Sequence, residues 1–356
     1  MPTGAGMSRT TPPRPFDVTA LFPRLAPLAR TATRLHPRPG SPSVHDSSVG
    51  GPLLWPADEP WPHCDEPHEG HGAGAGPSPA QVRLLRRHRA AMEDRRRRDP
   101  EGPWATPEEL ATDDRLQAGR PWPEGPTAML PVAQLYARDV PQLRTLGPPR
   151  ADLLQVLWCP FDHPAAPRPG LFWRSAAEVT DVLGAPPEPS AIQFSDYLPD
   201  PCLFAPEQVA EYPNPLELSK ELREQLGDWT RWQAAAGSAV DSSYEAAPEE
   251  FYLNHLSVAP GWKVGGWSSW GLTDPVPRRC PRCDTEMDPL LTIASTEWDG
   301  AGGSWAPIED RAGDTPPLPQ GNPPANFTRV VLAGGYGMQI HICPASRDHP
   351  YVELIQ

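Results

Sequence analysis

The chain has 356 residues, of which 52 are proline and 13 are tryptophan, and its formal net charge is −14. So much proline excludes long uninterrupted helices and central strands, because proline lacks the amide N–H and has a fixed φ. The negative charge argues against general binding to phosphate backbones, and no stretch approaches the length of apolar chain that a membrane span needs. The tryptophans and several apolar runs can bury enough surface to form a core.

The first third of the chain is mostly polar. Residues 1–15 are predicted to form a disordered tail, and they lack the apolar segment of a signal peptide, so we expect a cytoplasmic protein. A long polar insertion at about 66–125 contains a basic segment, Arg83–Arg98. We interpret this segment as a solvated helix. Docking of an acidic partner and binding of nucleic acid are the alternatives.

Beyond the insertion, short apolar runs bounded by proline or glycine are typical of buried strands. They lie at 128–136, 152–158, 289–295, 337–342 and 351–355. One strong helix pattern interrupts them at 215–236, where leucines recur on one face after an initial proline. The chain is therefore predicted to be an α+β protein with mainly antiparallel sheets, short helices and proline-rich loops.

Two motifs occur twice in the same order. The first motif is a Val-Gly-Gly turn with a tryptophan six residues after the valine, and it occurs at Val49–Gly51 and at Val264–Gly266. The second is a strand that ends in Cys-Pro and precedes Asp-His-Pro, and it occurs at Leu154–Pro160 and at Met338–Pro344. Repetition in order indicates an internal duplication.

The duplication predicts two repeat halves within one compact unit. The first half, 16–240, holds the insertion and the helix pattern at 215–236. The second half, 241–356, holds the CxxC motif of the chain. When the halves are superposed, their cysteines and histidines align, which favours a comparable metal site in each half.

In the second half, Cys280 and Cys283 form the CxxC, whose spacing lets two thiolates bind one ion from a tight turn. Cys343 would be the third ligand and His349 the fourth. His341 competes for the fourth position, because it alternates with Cys343 on one face of a strand.

In the first half, the corresponding set is Cys64, His68, Cys159 and His163. Four protein ligands leave no coordination position for water, so each site is predicted to hold a structural Zn²⁺ rather than a catalytic one. Cys202 has no counterpart and is predicted to be a core thiol. The alternative is that these cysteines are ordinary buried thiols and that the CxxC binds nothing.

These motifs resemble the YwqG-like family of bacterial proteins of unknown function, in its longer actinobacterial type. The resemblance is carried by Ala259–Gly266 (APGWKVGG), Trp270, the CxxC and Ile340–Pro344 (IHICP), with Ser47–Gly51 and Leu130–Leu135 in the N-terminal part. It covers about residues 20–356 and implies an α+β fold with antiparallel sheets. It supplies no catalytic residues, and the long insertion departs from the compact members.

Two classes of function remain open. The first is a zinc-stabilised binding or scaffold protein, a monomer that binds an unidentified protein partner. An immunity-like role is one form of it, since members of the family have been suggested near toxin–immunity loci and a net negative charge suits a basic partner. The second is a hydrolase-type enzyme with carboxylates in a cleft between the halves. The candidate carboxylates are Asp58, Glu59, Asp274, Glu297 and Asp299.

Overall fold

A computed structural model describes residues 8–68, 75–163, 166–236, 240–298, 303–311 and 325–356. Within these residues the α-helices are α1 (Val18–Leu21), α2 (Pro79–Arg98), α3 (Pro107–Gln117), α4 (Leu143–Leu146), α5 (Lys220–Leu226), α6 (Trp229–Ala236), α7 (Pro248–His255) and α8 (Ile308–Arg311). Short 3-10 helices lie at Pro23–Leu28, Ala176–Glu178, Ser195–Tyr197, Pro215–Glu217, Ser242–Tyr244 and Gly303–Trp305. No helix in the described ranges is both long and apolar enough to cross a membrane.

The strands are short and pair antiparallel, which confirms the predicted fold class. They are β1 (Arg30–Arg34), β2 (Arg38–Pro39), β3 (Ser48–Val49), β4 (His63–Cys64), β5 (Thr127–Ala128), β6 (Leu130–Tyr136), β7 (Leu153–Asp162), β8 (Pro167–Arg174), β9 (Cys202–Leu203), β10 (Glu207–Glu211), β11 (Lys263–Gly265), β12 (Asp288–Ile293), β13 (Met338–Ile342) and β14 (Val352–Ile355). Sheet A has the order β10-β1-β11-β12-β13-β14, and sheet B has the order β2-β9-β3-β6-β7-β8. Strands β4 and β5 form a separate ribbon.

The two sheets share one arrangement of strands. In sheet B, β3, β6, β7 and β8 follow one another from the first Val-Gly-Gly turn, and in sheet A, β11, β12, β13 and β14 follow one another from the second. The register shifts at the same place in both, between Pro131 and Ala133 and between Pro289 and Leu291. This common order agrees with the duplicated motifs, and common ancestry of the halves stays a prediction.

A buried glutamine makes the same contact in each sheet. Gln155 Nε2 donates to the carbonyl oxygen of Leu54 at 2.9 Å, and Gln339 Nε2 donates to that of Ser269 at 2.7 Å. Each of these carbonyls directly precedes the tryptophan of the repeated motif. The glutamine therefore fixes the loop after the Val-Gly-Gly turn to the outer face of its sheet.

The two sheets are not built from separate halves of the chain. Strands β1 and β10 complete sheet A, although both come from the predicted first half, 16–240. The chain leaves sheet A after β1 and enters sheet B at β2, and the connection includes His36 with φ of 46°. It returns to sheet A between β9 and β10. A division at residue 240 therefore cuts through sheet A.

One apolar cluster joins the two sheets. Alternate residues of β7 and β13 contribute to it: Leu154, Val156 and Trp158 from β7, and Met338, Ile340 and Ile342 from β13. Because side chains alternate across a strand, the residues between them belong to the outer faces. Cys159 and Cys343 alternate with the core residues in the same way, so their side chains are on the outer faces. Both candidate metal centres therefore lie away from the shared core.

The predicted single helix at 215–236 is wrong, because the segment is divided into a 3-10 turn and two short α-helices. Ser219 caps α5 by accepting a hydrogen bond from Leu222 N, and Gly227 ends it. Asp228 then accepts a hydrogen bond from Thr230 N at 3.1 Å where α6 begins. Side-chain oxygens that satisfy free backbone N–H groups start new helices and so break the continuous pattern.

The predicted disordered tail, 1–15, differs from the structure over its described part. Thr11 donates its backbone N–H and its hydroxyl to Glu207, and the guanidinium of Arg14 lies 3.7 Å from the ring centroid of Trp305. These contacts compensate for the entropy lost when the segment is ordered. The first seven residues lie outside the described part of the chain.

Candidate metal centres

Site 1 consists of the four residues predicted for the first half, Cys64, His68, Cys159 and His163. Their ligand atoms all lie within 4.8 Å of one another. Cys64 Sγ is 3.6 Å from His163 Nε2, and His68 Nε2 is 3.0 Å from Cys159 Sγ. A tetrahedral ion with bonds of about 2.0–2.3 Å holds its ligand atoms about 3.3–3.8 Å apart. The cluster is therefore close to the size that one such ion needs.

The fold brings the ligands of site 1 together from two directions. Cys64 lies in β4, which is paired with β5, and His68 follows four residues later. Cys159 lies near the end of β7 and His163 directly after it. The ring of Phe161 packs 4.8 Å from the ring of His68. A ligand set of this kind ties a loop to the end of a strand.

An acidic residue that the sequence analysis missed orients one ligand of site 1. Glu66 Oε2 is 3.2 Å from His163 Nδ1, and Glu66 also forms an ion pair with Arg168. A carboxylate on the far nitrogen of an imidazole fixes its tautomer and directs the other nitrogen toward the metal. The sequence feature that could have predicted this role is the position of Glu66, two residues after the candidate ligand Cys64.

Site 2 consists of Cys280, Cys283, Cys343 and His349, whose ligand atoms also lie within 4.8 Å of one another. Cys280 Sγ is 3.5 Å from His349 Nδ1, and the Sγ atoms of Cys283 and Cys343 are 3.5 Å apart. These separations match the edges of a tetrahedron around one ion.

The two cysteines of the CxxC lie on a tight turn. The backbone N–H of Asp284 donates to the carbonyl of Cys280 at 2.9 Å, and that of Cys280 donates to the carbonyl of Thr285 at 2.9 Å. Asp284 has φ of 58°, a conformation that aspartate tolerates better than most residues. The turn therefore presents both thiols to the same side.

The structure brings His349, and not His341, to site 2. His341 Nε2 instead lies 3.0 Å from the hydroxyl oxygen of Ser268. Burial, together with the nearby positive charge of Arg278, lowers the pKa of His341 to about 4. The imidazole is therefore neutral at pH 7, and its contact with Ser268 helps to hold the loop that contains this serine.

The surroundings shift the pKa values of the ligands in different directions. Hydrogen bonding with Thr285 lowers the pKa of Cys283 to about 6, which favours the thiolate that binds metal. Burial raises the pKa of Cys159 and of Cys343. Burial, with the charge of His163, lowers the pKa of His68, which favours the neutral imidazole. A divalent cation would compensate for the burial of the thiolates.

The two clusters occupy equivalent places in their sheets. In each, two ligands come from the connection after the Val-Gly-Gly strand, which is β3 or β11. One comes from the C-terminal end of β7 or β13, and one from the turn before β8 or β14. Each cluster could hold a metal ion with four protein ligands. Cys202 belongs to neither and is buried with its Sγ 3.5 Å from the carbonyl oxygen of Phe327. Its prediction as a core thiol is confirmed.

The four proposed hydrolytic carboxylates that lie in the described residues do not line one pocket together. Asp58 and Glu59 line a pocket of about 460 Å³, in which Glu59 forms an ion pair with Arg174. Neither Asp274, which is exposed, nor Glu297 lines this pocket. The remaining candidate, at position 299, lies outside the described residues.

Glu297 is buried and structural. His36 Nδ1 lies 3.1 Å from its carboxylate, and Trp262 N donates to it at 3.3 Å. Burial by itself would raise the pKa of Glu297, but the hydrogen bond with His36 and the charges of Arg34 and Arg38 outweigh burial and lower it. The carboxylate is thus held as an anion at the place where the chain crosses between the sheets.

A second buried glutamate, which the sequence analysis missed, organises the APGWKVGG motif. Glu211 accepts hydrogen bonds from Lys263 Nζ at 2.7 and 2.8 Å and from the backbone N–H groups of Ala259 and Trp267. A Cβ atom at Gly266, where φ is +75°, would lie 2.3 Å from Glu211 Oε2. One buried carboxylate therefore accounts for the lysine and for the last glycine of the motif.

The basic segment Arg83–Arg98 forms most of α2, and its charge is largely compensated within the chain. Five of its eight arginines form ion pairs: Arg83 with Glu188, Arg86 with Asp200, Arg89 with Asp113, Arg95 with Glu109, and Arg97 with Asp94. Pairing on this scale agrees with the prediction of a solvated helix. It leaves few unpaired arginines on α2 to bind a nucleic-acid backbone.

Comparison with known proteins does not assign the chain. No family model matches it, and a search of curated proteins finds no match. The resemblance to the YwqG-like family therefore rests on the quoted motifs. In the structure, those motifs contribute Lys263 of the ion pair with Glu211, the CxxC turn, and strand β13, which Cys343 directly follows. These motifs hold the fold together, and they do not indicate a reaction.

Proposed function

We propose that this protein is a binding protein of the YwqG-like family whose recognition loops are held in place by two structural zinc ions. The observation that carries the proposal is the pair of four-ligand Cys/His clusters at equivalent places in the two sheets. The donors are two cysteines and two histidines at site 1, and three cysteines and one histidine at site 2. Sulfur and imidazole donors favour zinc over magnesium or calcium, and a closed set favours structure over catalysis.

The loop that leads into site 2 supports a binding role. Gln356 Oε1 accepts hydrogen bonds from the backbone N–H groups of Gly271, Leu272 and Thr273, at 3.2–3.4 Å. The loop nevertheless leaves the side chains of Leu272 and Val276 exposed. Large apolar side chains on a loop that is held at its start, and that a zinc ion at site 2 would hold at its end, suit recognition of a protein partner at little cost in entropy. The net charge of −14 favours a partner that is basic, as in an immunity-like role.

Elemental analysis of the purified protein tests the metal part of this proposal. We expect two zinc ions per chain in the wild type, and one in each of the single variants Cys283→Ser and Cys64→Ser, because each variant opens one site. Cys202→Ser is the matched control and should retain both ions, since its thiol lies outside both clusters. A wild-type protein without zinc would refute the proposal.

Affinity capture from the native lysate tests the binding part. The wild type is expected to retain a stoichiometric basic partner, and Leu272→Ala with Val276→Ala is expected to lose it, because the apolar contact area of the loop is removed without a change of charge. Leu216→Ala, at another exposed leucine, is the control. Absence of any stoichiometric partner, or equal capture by the loop variant, would contradict the assigned surface.

A further inference from the structure

The inserted segment forms a helical hairpin of α2 and α3 that is fixed at its base. Ala75 and Arg120 exchange backbone hydrogen bonds at 2.7 and 2.8 Å and close the hairpin. Val82, in the first turn of α2, is fully buried in the core that joins the sheets. Helix α3 has no buried residue. It is held to α2 by polar contacts, chiefly the ion pairs of Arg95 with Glu109 and Arg89 with Asp113.

An apolar groove opens between the two helices near the outer end of the hairpin. Met92, Trp104 and Leu110 line it, and its volume is about 320 Å³. The side chains of Trp104 and Leu110 are 65% and 46% exposed. An isolated helix of this length is marginal in water, and no apolar side chain of α3 is fully buried within the chain. A molecule that covered the groove would bury Trp104 and Leu110 and supply that surface.

The charges of the hairpin favour a second copy as that molecule. The segment Pro79–Gln117 carries nine basic and eight acidic side chains, so it is nearly neutral in a chain of net charge −14. Two copies therefore repel each other least when they meet through their hairpins. Within the hairpin, α2 is strongly basic and α3 is acidic, so α2 of one copy is complementary to α3 of another.

We propose that two copies of this chain associate through their hairpins about a two-fold axis, with α2 of each crossing α3 of the other. Trp104 and Leu110 lie at the centre of this interface. Arg96 lines the groove beside Trp104, and Asp114 follows Leu110 by four residues and thus shares its face of α3. Asp114 is exposed and has no partner among the described residues. In a two-fold interface, Arg96 of each copy contacts Asp114 of the other.

This proposal replaces the expected monomer with a weak dimer, and it is independent of the zinc sites. Sedimentation equilibrium of the full zinc-loaded chain at concentrations up to about 0.5 mM measures the association. Either Arg96→Glu or Asp114→Arg alone is expected to weaken the dimer at least about tenfold, because like charges then meet twice. The double variant is expected to recover most of the wild-type affinity, since it restores both pairs in reversed order.

Leu110→Ala and Leu84→Ala form a matched pair, because both leucines are 46% exposed on the same hairpin but only Leu110 lines the groove. Leu110→Ala should weaken the dimer and Leu84→Ala should not. A wild type that stays monomeric over the whole range would overturn the proposal. So would a dimer that tolerates both single charge reversals, or a double variant that fails to recover, because a different surface or a different geometry would then be responsible.

Discussion

Removal of both metal ions is expected to lower the free energy of unfolding by about 8 kcal/mol. A ligand that binds only the folded state at about 1,000 times its Kd stabilises that state by about 4 kcal/mol, and the chain has two clusters that could each hold such an ion. Domains are stable by only about 5–15 kcal/mol in total. The metal-free protein is therefore expected to be marginal, with the loops around Cys64 and Cys280 losing order first.

Denaturant unfolding at several buffered concentrations of free zinc measures this effect. The transition midpoint of the wild type should rise with zinc, and Cys280→Ser should reduce the dependence by about half, because one of two sites remains. Cys202→Ser should keep the full dependence, since that buried thiol touches neither cluster. A wild-type midpoint that does not respond to zinc would show that the clusters are ordinary thiols and imidazoles.

Replacement of Lys263 by methionine is expected to destabilise the protein by about 3–5 kcal/mol, the range for removal of one partner of a buried ion pair. Lys263 Nζ makes two hydrogen bonds to Glu211 and one to the carbonyl oxygen of Trp267, at 2.7–2.8 Å. Both charged side chains are almost completely buried. Methionine has a similar length but leaves the Glu211 carboxylate without its counter-charge.

The chain supplies its own control, because Lys220 is its one other lysine. Lys220 is 80% exposed and lies 3.8 Å from Glu224 on the same helix. Exposed pairs of this kind contribute little, so Lys220→Met should change the free energy of unfolding by less than about 1 kcal/mol. Adding Glu211→Leu to Lys263→Met should recover part of the loss. Equal effects of the two lysine variants in denaturant unfolding would refute the structural role of Lys263.

The candidate ligands could be predicted because they leave a local pattern twice. The CxxC places two thiols on one turn, and the repeated Cys-Pro strand ends mark Cys159 and Cys343 as equivalent. His349 and His163 follow those strand ends within a few residues, so chain connectivity alone keeps them near. The choice between His341 and His349 required the structure, because it depends on Ser268, which is 73 residues from His341.

The features that escaped prediction are contacts between distant parts of the chain. Glu211 pairs with Lys263 across 52 residues, and Thr11 contacts Glu207 across 196. Neither pair has a periodicity or a spacing that a single sequence displays. The same holds for β1, a short polar strand whose place in sheet A depends on partners in both parts of the chain. Antiparallel pairing as a class was predictable, and the choice of partners was not.

The contribution of β1 from the first half to sheet A has a consequence for synthesis on the ribosome. Ala32 of β1 pairs with Gly265 of β11, so β1 waits for about 230 further residues before this partner exists. At roughly 5–20 residues per second, translation takes on the order of 10–50 s to supply it. Strand β10 pairs with the other edge of β1 earlier, and an apolar strand whose second edge stayed open until β11 emerged would invite aggregation. Strand β1 reads Arg-Thr-Ala-Thr-Arg, and its two arginines suit a strand that must stay in solution until its neighbours emerge.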